Sequence, residues 1–261
     1  MSLKTFTAAL IAGASLIAAP AFAEDVKIGV TPGPHAQIME QVKPIFEAKG
    51  HTLEILEFSD YVIPNEALST GDLTANSFQH QPYLDNQIAD RGYKIETVAV
   101  TVNFPIAVYS DKFEKFEDLP EGAKIGLPND PTNGGRVLLL LESAGLIKLK
   151  EGVGTKASVI DVIENPKNVQ FLEIDAAQLA RTLPDLDAAG INTNYAEDAG
   201  LDPVNGSILR ESPTGPYVNV IAVRSEDKDL QWVKDLVASY HNDEIKAFIE
   251  TEFKGSILAG W

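Results

Sequence analysis

The feature of this sequence that most restricts its fold is a regular alternation of two kinds of segment, which starts near Val26 and continues to the C-terminus. Short runs of β-branched residues, such as 26–30, alternate with amphipathic segments that are long enough for a helix. In the first unit, a Pro/Gly loop leads into a helix with Ile38, Val42 and Phe46 on one face. This alternation predicts an α/β fold with mostly parallel sheets flanked by helices.

Two apolar strands indicate that the chain passes between two sheets. The strand 105–109 precedes a polar stretch and a fresh strand, as expected where a second sheet begins, and the strand 218–224 precedes a charged turn and two final helices. We therefore expect lobe I over residues 24–110 plus 224–261 and lobe II over residues 111–223. Two crossings would allow the lobes to hinge around a ligand in the cleft between them.

The first 23 residues have the pattern of a signal peptide. Lys4 precedes an apolar run over 8–19, and Ala21-Phe22-Ala23 provides the small residues of a cleavage site. The alternative is a core helix or a membrane anchor, but Pro20 ends the apolar run short of the roughly 20 residues that a bilayer span needs. The mature protein is therefore expected to begin at Glu24.

Charge and cysteine content exclude several classes of function. The net charge of −17 argues against a nucleic-acid partner, because such binding depends on Lys and Arg. The sequence has 0 Cys, which excludes disulfides, thiolate metal sites and a lipid anchor carried on a Cys. We therefore expect a protein that is exported and then diffuses freely.

Enzyme signatures are missing from the sequence. It has no G-x-S-x-G elbow, Walker loop or H-E-x-x-H motif, and its 4 His residues form no metal-binding pattern. The run 152–157 fits a loose G-x-G-x-x-A, but no buried strand precedes it. The sequence predicts no catalytic residue, no cofactor and no metal.

Aromatic and polar residues meet at one predicted strand end, in the segment 76–84. Phe78 and His80 lie at the end of the strand, and Tyr83 lies in a helix that Pro82 begins. Such a group could form the wall of a pocket for an apolar side chain. It could equally be a strand end that packs into the core with a hydrogen-bonded histidine.

A second polar segment, 128–136, lies between a strand and a helix predicted from Gly134. Free N–H groups at a helix N-terminus attract anions, and Arg136 is expected in the first turn, where a cation needs a negative partner. A bidentate grip on a ligand carboxylate would provide one. A salt bridge to a protein acid is the alternative.

Two further segments each place an asparagine at or inside an apolar strand. These are Asn192 in I-N-T-N-Y and Asn219 in P-Y-V-N-V. A buried amide needs hydrogen-bond partners, and the ammonium and carboxylate of an amino acid would satisfy that need. The alternative is an asparagine that caps or ties together loops.

Taken together, these segments closely resemble the methionine-binding lipoprotein family (MetQ/NlpA). The motifs that carry the resemblance are D-Y-V-I-P-N-E-A-L, N-S-F-Q-H-Q-P-Y-L, P-N-D-P-T-N-G-G-R, E-N-P-K-N, I-N-T-N-Y-A and S-P-x-x-P-Y-V-N. They occur in the same order from about Val26 to Trp261.

The resemblance implies a type II-like, two-lobed periplasmic binding protein without catalysis. It would capture L-methionine or a close amino acid and deliver it, as a monomer, to an ABC permease and its ATPase in the inner membrane. Phe78, His80 and Tyr83, with Tyr61 as a further wall residue, would line the side-chain pocket. Arg136 would bind the α-carboxylate, and Asn192 and Asn219 would hold the ammonium and carboxylate groups.

The sequence departs from the family at three points, namely the missing Cys after the signal peptide, the first loop 31–35, and Gly190 where a larger apolar residue is common. Because these loops border the cleft, a Met-containing dipeptide, D-methionine or another apolar amino acid remains an alternative ligand. A secreted hydrolase or a purely structural envelope protein is an alternative of another class.

Overall fold

The computed structural model describes residues 23–261. The predicted signal peptide lies outside these residues, apart from Ala23. Two large mixed sheets and a small two-stranded one, with flanking helices, form the described structure, which confirms the α/β fold class. Among the described residues, no helix has the length and apolar character that crossing a bilayer requires.

The strands and helices follow the alternation in the sequence. In chain order, the strands are β1 (Asp25–Val30), β2 (Thr52–Glu57), β3 (Ala75–His80), β4 (Ile95–Asn103), β5 (Ala107–Tyr109), β6 (Lys124–Pro128), β7 (Lys148–Leu149), β8 (Val162–Glu164), β9 (Gln170–Ile174), β10 (Ala188–Ile191), β11 (Leu209–Arg210), β12 (Val218–Arg224) and β13 (Leu258–Ala259). The helices are α1 (Pro34–Glu47), α2 (Ile63–Thr70), α3 (Gln81–Arg91), α4 (Pro131–Ser143), α5 (Leu179–Thr182), α6 (Thr193–Asp198), α7 (Gln231–Tyr240) and α8 (Asp243–Phe253).

Both larger sheets combine parallel and antiparallel strands. The first has the order β13-β4-β12-β3-β1-β2, with β1 parallel to β2 and β3, and with β12 antiparallel to β3 and β4. The second has the order β11-β5-β10-β6-β9, in which β6 is parallel to β9 and β10 while β5 is antiparallel to β10 and β11. The expectation of mostly parallel sheets was wrong in this detail, because strands that do not arrive through a βαβ crossover pair in the antiparallel direction.

The two crossing strands, β5 and β12, join different sheets from those expected: β5 lies in the second sheet and β12 in the first. The chain leaves the first sheet after Asn103 and enters the second at Ala107, then leaves the second after Arg210 and returns at Val218. The predicted lobes had assigned 107–109 to lobe I and 218–223 to lobe II. Their apolar sequences identify both as strands, but partners distant in the chain decide which sheet each one joins. The division into two moving lobes stays a proposal, with its crossings at these two places.

Each large sheet has its own hydrophobic core, which fixes the elements that carry the site. On the first sheet, Ile38, Val42 and Phe46 of α1 are buried, as the spacing of apolar residues predicts. On the second sheet, α4 packs Val137 and Leu141 against the core that contains β6. Because burial of each such side chain contributes about 1.5–3 kcal/mol, the two helices are firmly anchored.

The position of Gly190 has no room for a side chain, because Val137 fills the space beside it. A β-carbon at Gly190 would lie 2.5 Å from Cγ2 of Val137 and 2.6 Å from its Cγ1. We expect Gly190→Ala to lower the free energy of unfolding by about 1–3 kcal/mol, as is typical of overpacking in a core. Denaturant unfolding measures the loss.

The double variant Gly190→Ala/Val137→Ala is the matched control, since it removes the two methyl groups that cause the clash. The loss of unfolding free energy in the double variant is expected to be smaller than the sum of the losses in the two single variants. Strict additivity of the two changes would show that the valine is not the reason for the glycine.

Candidate functional site

A cavity lies between the two sheets. Its walls come from the carboxyl ends of β3 and β10, from β12, from α1, α3, α4 and α6, and from the segments that follow β2 and β4. The lining residues are His35, Tyr61, Phe78, Gln79, His80, Tyr83, Phe104, Asn133, Arg136, Asn192, Thr193, Asn194 and Asn219. All seven residues predicted as site residues are among them, although they span 159 positions of the chain from Tyr61 to Asn219.

Three of these residues form an aromatic wall, defined here as Tyr61, Phe78 and Tyr83. Their ring centroids lie 6.0 to 6.3 Å apart, and the Tyr83 ring meets each of the other two edge-on. The hydroxyl of Tyr83 donates to the carbonyl oxygen of Tyr61 at 2.9 Å. The hydrogen bond keeps the polar end of Tyr83 occupied, so the wall offers mainly apolar ring surface.

His80 contributes a neutral imidazole with a fixed tautomer. Its Nδ1 accepts from the backbone N–H of Tyr83 at 3.1 Å and thereby caps α3, so the ring proton is on Nε2. Nε2 donates to Oδ1 of Asn133 at 3.1 Å. Burial, assisted by the positive charge of Arg136, lowers the pKa of His80 to about 3. His80 therefore carries no charge near neutral pH.

Asn133 connects His80 to Asn192. The Nδ2 group of Asn133 donates to both carboxylate oxygens of Asp130, at 3.1 and 3.0 Å, so its Oδ1 is the acceptor for its other neighbours. Nδ2 of Asn192 donates to that oxygen at 2.8 Å. The remaining oxygen of Asn192, Oδ1, is buried and has no hydrogen-bond partner among residues 23–261. A donor from a ligand would satisfy it.

Arg136 is buried, with 2% of its side chain exposed, and it lies farther into α4 than expected. The helix begins at Pro131, so Arg136 is in the second turn rather than the first. The expected anion site at the helix N-terminus was also wrong, because the carboxylate of Asp130 caps the helix and accepts from the backbone N–H of Asn133 at 2.9 Å.

The guanidinium of Arg136 already has a protein partner. Its Nε lies 3.0 and 3.1 Å from the two carboxylate oxygens of Glu211, and its Nη2 donates to Glu211 and to the carbonyl oxygen of Phe104. It also lies 4.2 Å from the ring centroid of Tyr217. A protein salt bridge is therefore present, and only Nη1 has no hydrogen bond within the described part of the chain.

Asn219 is the other predicted amide, and it lies on the first sheet. It is 5% exposed and pairs in register with His80 across β12 and β3. Its amide neighbours the imidazole of His35, whose pKa burial lowers to about 4 although Asn219 opposes that shift. Asn192 and Asn219 thus approach the cavity from different sheets.

Two hydrogen bonds link the segment that follows β2 of the first sheet to α6 beside the second sheet. The hydroxyl of Tyr61, beside the first sheet, donates to Oδ1 of Asn194 in α6 at 2.6 Å. The hydroxyl of Tyr195 donates to the carbonyl oxygen of Ser59 at 3.2 Å. Tyr61 and Asn194 both line the cavity, so the first of these bonds belongs to its wall.

Several lining residues were missed by the sequence analysis. His35 stacks on Phe104 at 4.5 Å and bonds through Nδ1 to Thr31, yet its loop was noted only as unusual. Asn133 and Asn194 lie in the two segments that contain Arg136 and Asn192. Their closeness in sequence to those two residues was the only signal that could have identified them. Glu211, which holds Arg136, carries no motif that would have identified it.

Comparisons with known proteins agree with the geometry. The profile of the NlpA lipoprotein family matches residues 26–261. The D-methionine-binding lipoprotein MetQ of Escherichia coli (strain K12) is 45% identical over 266 aligned positions, which cover 99% of this chain and 98% of that protein. MetQ of Yersinia pestis is 46% identical, covering 90% of this chain and 88% of that protein.

Solved structures give the same result. A nutrient-binding protein from Burkholderia cenocepacia, bound to methionine, is 52% identical with a TM-score of 0.88, over 90% of this chain and all of that one. The crystal structure of the methionine-binding protein MetQ is 46% identical, also with a TM-score of 0.88, over 91% of this chain and 98% of that one.

Proposed function

The chain belongs to the NlpA lipoprotein family, and from this premise we propose that it is the substrate-binding protein of an ABC importer that captures methionine. Its relatives are binding proteins, so it is not an enzyme. The observation that carries the proposal is the convergence of an aromatic wall, a buried guanidinium and two buried amides on one cavity.

Each part of a methionine molecule has a matching group in the cavity. The thioether side chain would lie against the aromatic wall, where sulfur and apolar carbon contact aromatic rings favourably. Nη1 of Arg136 would bind the carboxylate, and Oδ1 of Asn192 would accept from the ammonium group. Asn219, on the opposite sheet, would hold the charged end from the other side.

Simple energetics explain why both ends are needed. Burial of a side chain the size of methionine's is worth roughly 1.5–3 kcal/mol, whereas micromolar affinity needs about 8 kcal/mol. Charge-assisted hydrogen bonds at the zwitterion must supply the rest and also offset the entropy lost on association. A closed cavity strengthens these bonds, since water is excluded from them.

Other ligands fit the cavity less well. A Met-containing dipeptide brings a further peptide group that needs hydrogen-bond partners, and a smaller apolar amino acid would leave the aromatic wall uncovered. The Escherichia coli relative is described as binding D-methionine, so the test includes both enantiomers.

Ligand capture can be measured on purified protein. Native mass spectrometry should find a bound mass equal to that of methionine. After unfolding and refolding to remove it, isothermal titration should give micromolar or tighter binding of methionine and at least tenfold weaker binding of alanine and of methionine dipeptides. Absence of heat and of any rise in melting temperature with every amino acid would overturn the proposal.

We propose the periplasm as its compartment, with cleavage near Ala23 and release as a free monomer. The curated relatives are lipoproteins, but this sequence has no Cys to carry a lipid. Its partners would be the permease and the ATPase of the importer, which would receive the closed, loaded protein.

A further inference from the structure

Glu211 lies directly behind the guanidinium that faces the cavity. It follows β11, and its backbone N–H donates to the carbonyl oxygen of Ile106 at 2.9 Å. Its carboxylate also accepts from the backbone N–H of Ile106 at 3.3 Å and from Nε and Nη2 of Arg136. Glu211 is therefore tied to the crossing segment and holds Arg136 to it, with 18% of its own side chain exposed.

These contacts determine what the guanidinium can offer. A free arginine presents two pairs of N–H groups, and either pair can grip a carboxylate bidentately. Here Glu211 occupies the edge formed by Nε and Nη2, and Phe104 accepts a further bond from Nη2. The edge bearing Nη1 is what remains for a ligand.

The pair also sets the charge around the cavity. Arg136 is the sole lining residue with a permanent charge among those described, and Glu211 balances it. Burial lowers the pKa values of His35 and His80 to about 4 and about 3, so both are neutral, and burial raises the pKa of Tyr61, which keeps its proton. Burial likewise raises the pKa of Tyr83.

Two further acids, Asp130 and Asp60, act on the lining residue Tyr83, but neither carboxylate lines the cavity. Asp60 accepts from the backbone N–H groups of Val62 and Ile63. The carboxylate of Asp130 caps α4, where the helix dipole favours a negative charge, and it accepts from the amide of Asn133. Arg136 carries the only permanent charge among the described lining side chains, so its pairing with Glu211 leaves no net positive charge at the point where a ligand carboxylate would bind.

A ligand with no net charge fits such a site best. Transfer of an unbalanced charge into a closed cavity is costly, and a counter-charge within reach is what removes the cost. A zwitterion brings its own balance. A monoanion without an ammonium group would instead need an unbalanced cation in the protein. No such cation is present, because Glu211 balances the charge of Arg136.

We propose that Glu211 is a positioning residue that sets the charge class of the ligand, by neutralising Arg136 so that a zwitterion is preferred over a monoanion of the same shape. This inference rests on the proposed function. It implies that removing the negative charge of Glu211 turns the cavity into a cationic site that accepts 4-(methylthio)butanoate, which is methionine without its amino group.

The experiment compares two ligands in two proteins. Isothermal titration measures the affinities of methionine and 4-(methylthio)butanoate for the refolded full chain and for Glu211→Gln. The ratio of the two affinities is expected to shift at least tenfold toward the monoanion in the variant. A smaller shift would overturn the proposal, and an unchanged ratio, with both ligands weakened equally, is the result expected of a purely structural residue.

Glu164→Gln is the matched control, because it removes one acid from an exposed surface pair with Lys148 and leaves the cavity untouched. Its affinity ratio should equal that of the original protein, and a shift like that of Glu211→Gln would attribute the effect to overall charge instead. If Glu211→Gln does not fold, Glu211→Asp keeps the charge with a shorter reach, and its ratio should stay within threefold. A larger shift toward the monoanion in that variant would overturn the proposal.

The test separates this inference from the function beneath it. If the original protein binds neither ligand, the proposed function has failed. If it binds methionine and only the ratio fails to move, the function stands and the assignment of Glu211 is wrong.

Discussion

Replacing Arg136 with alanine is expected to weaken methionine binding at least tenfold, which corresponds to about 1.4 kcal/mol or more. The guanidinium is the one permanent positive charge that lines the cavity in the described part of the chain, and it is buried. Its loss would leave the ligand carboxylate without its charged partner. Isothermal titration of refolded protein measures the effect.

The same change should also lower the melting temperature of the ligand-free protein. It leaves the carboxylate of Glu211 only partly exposed to water and without its cation, and an unpaired buried charge is destabilising. The fold should nevertheless survive, since both hydrophobic cores remain intact. The control is Arg181→Ala, at an exposed position of α5. Unchanged affinity in Arg136→Ala would refute the role of this residue.

Replacing Phe78 with alanine is expected to weaken methionine binding roughly 10- to 100-fold while alanine binding changes little. The ring is 2% exposed and forms part of the aromatic wall, so its loss removes about 1.5–3 kcal/mol of apolar contact. Alanine has no side chain long enough to use that contact. Parallel titrations with the two amino acids provide the measurement.

Phe248→Ala serves as the control for this prediction, because Phe248 packs in α8 on the core of the first sheet and does not line the cavity. It should affect stability without changing the preference for methionine. Equal losses of methionine and alanine in Phe78→Ala would remove Phe78 from the side-chain pocket.

These predictions have a common physical basis. The aromatic wall provides selectivity for the side chain, whereas the charged end provides most of the affinity. Because the two functions lie on different residues, the Phe78 variant should alter the preference between amino acids and the Arg136 variant should weaken all of them. If both variants changed affinity and amino-acid preference in the same way, selectivity and affinity would not lie on separate residues.

The sequence alone determined the fold class and the segments that meet at the site. Apolar periodicity is a local property, so it identified α1. The helix start at Pro82 was equally local, and it placed Phe78 and His80 at the end of a preceding strand. Polar residues inside apolar segments were equally visible, because a buried amide is unusual wherever it occurs. That is why Asn192 and Asn219 could be chosen.

The tertiary structure alone decided which groups satisfy one another. Glu211 lies 75 positions from Arg136, and nothing local distinguishes it from the other acids of a strongly acidic chain. The sheet that each crossing strand joins was likewise unpredictable from the pattern. Hydrogen bonds and ion pairs depend on ångström-scale approach between distant segments, and hydrophobic periodicity carries no information about that approach.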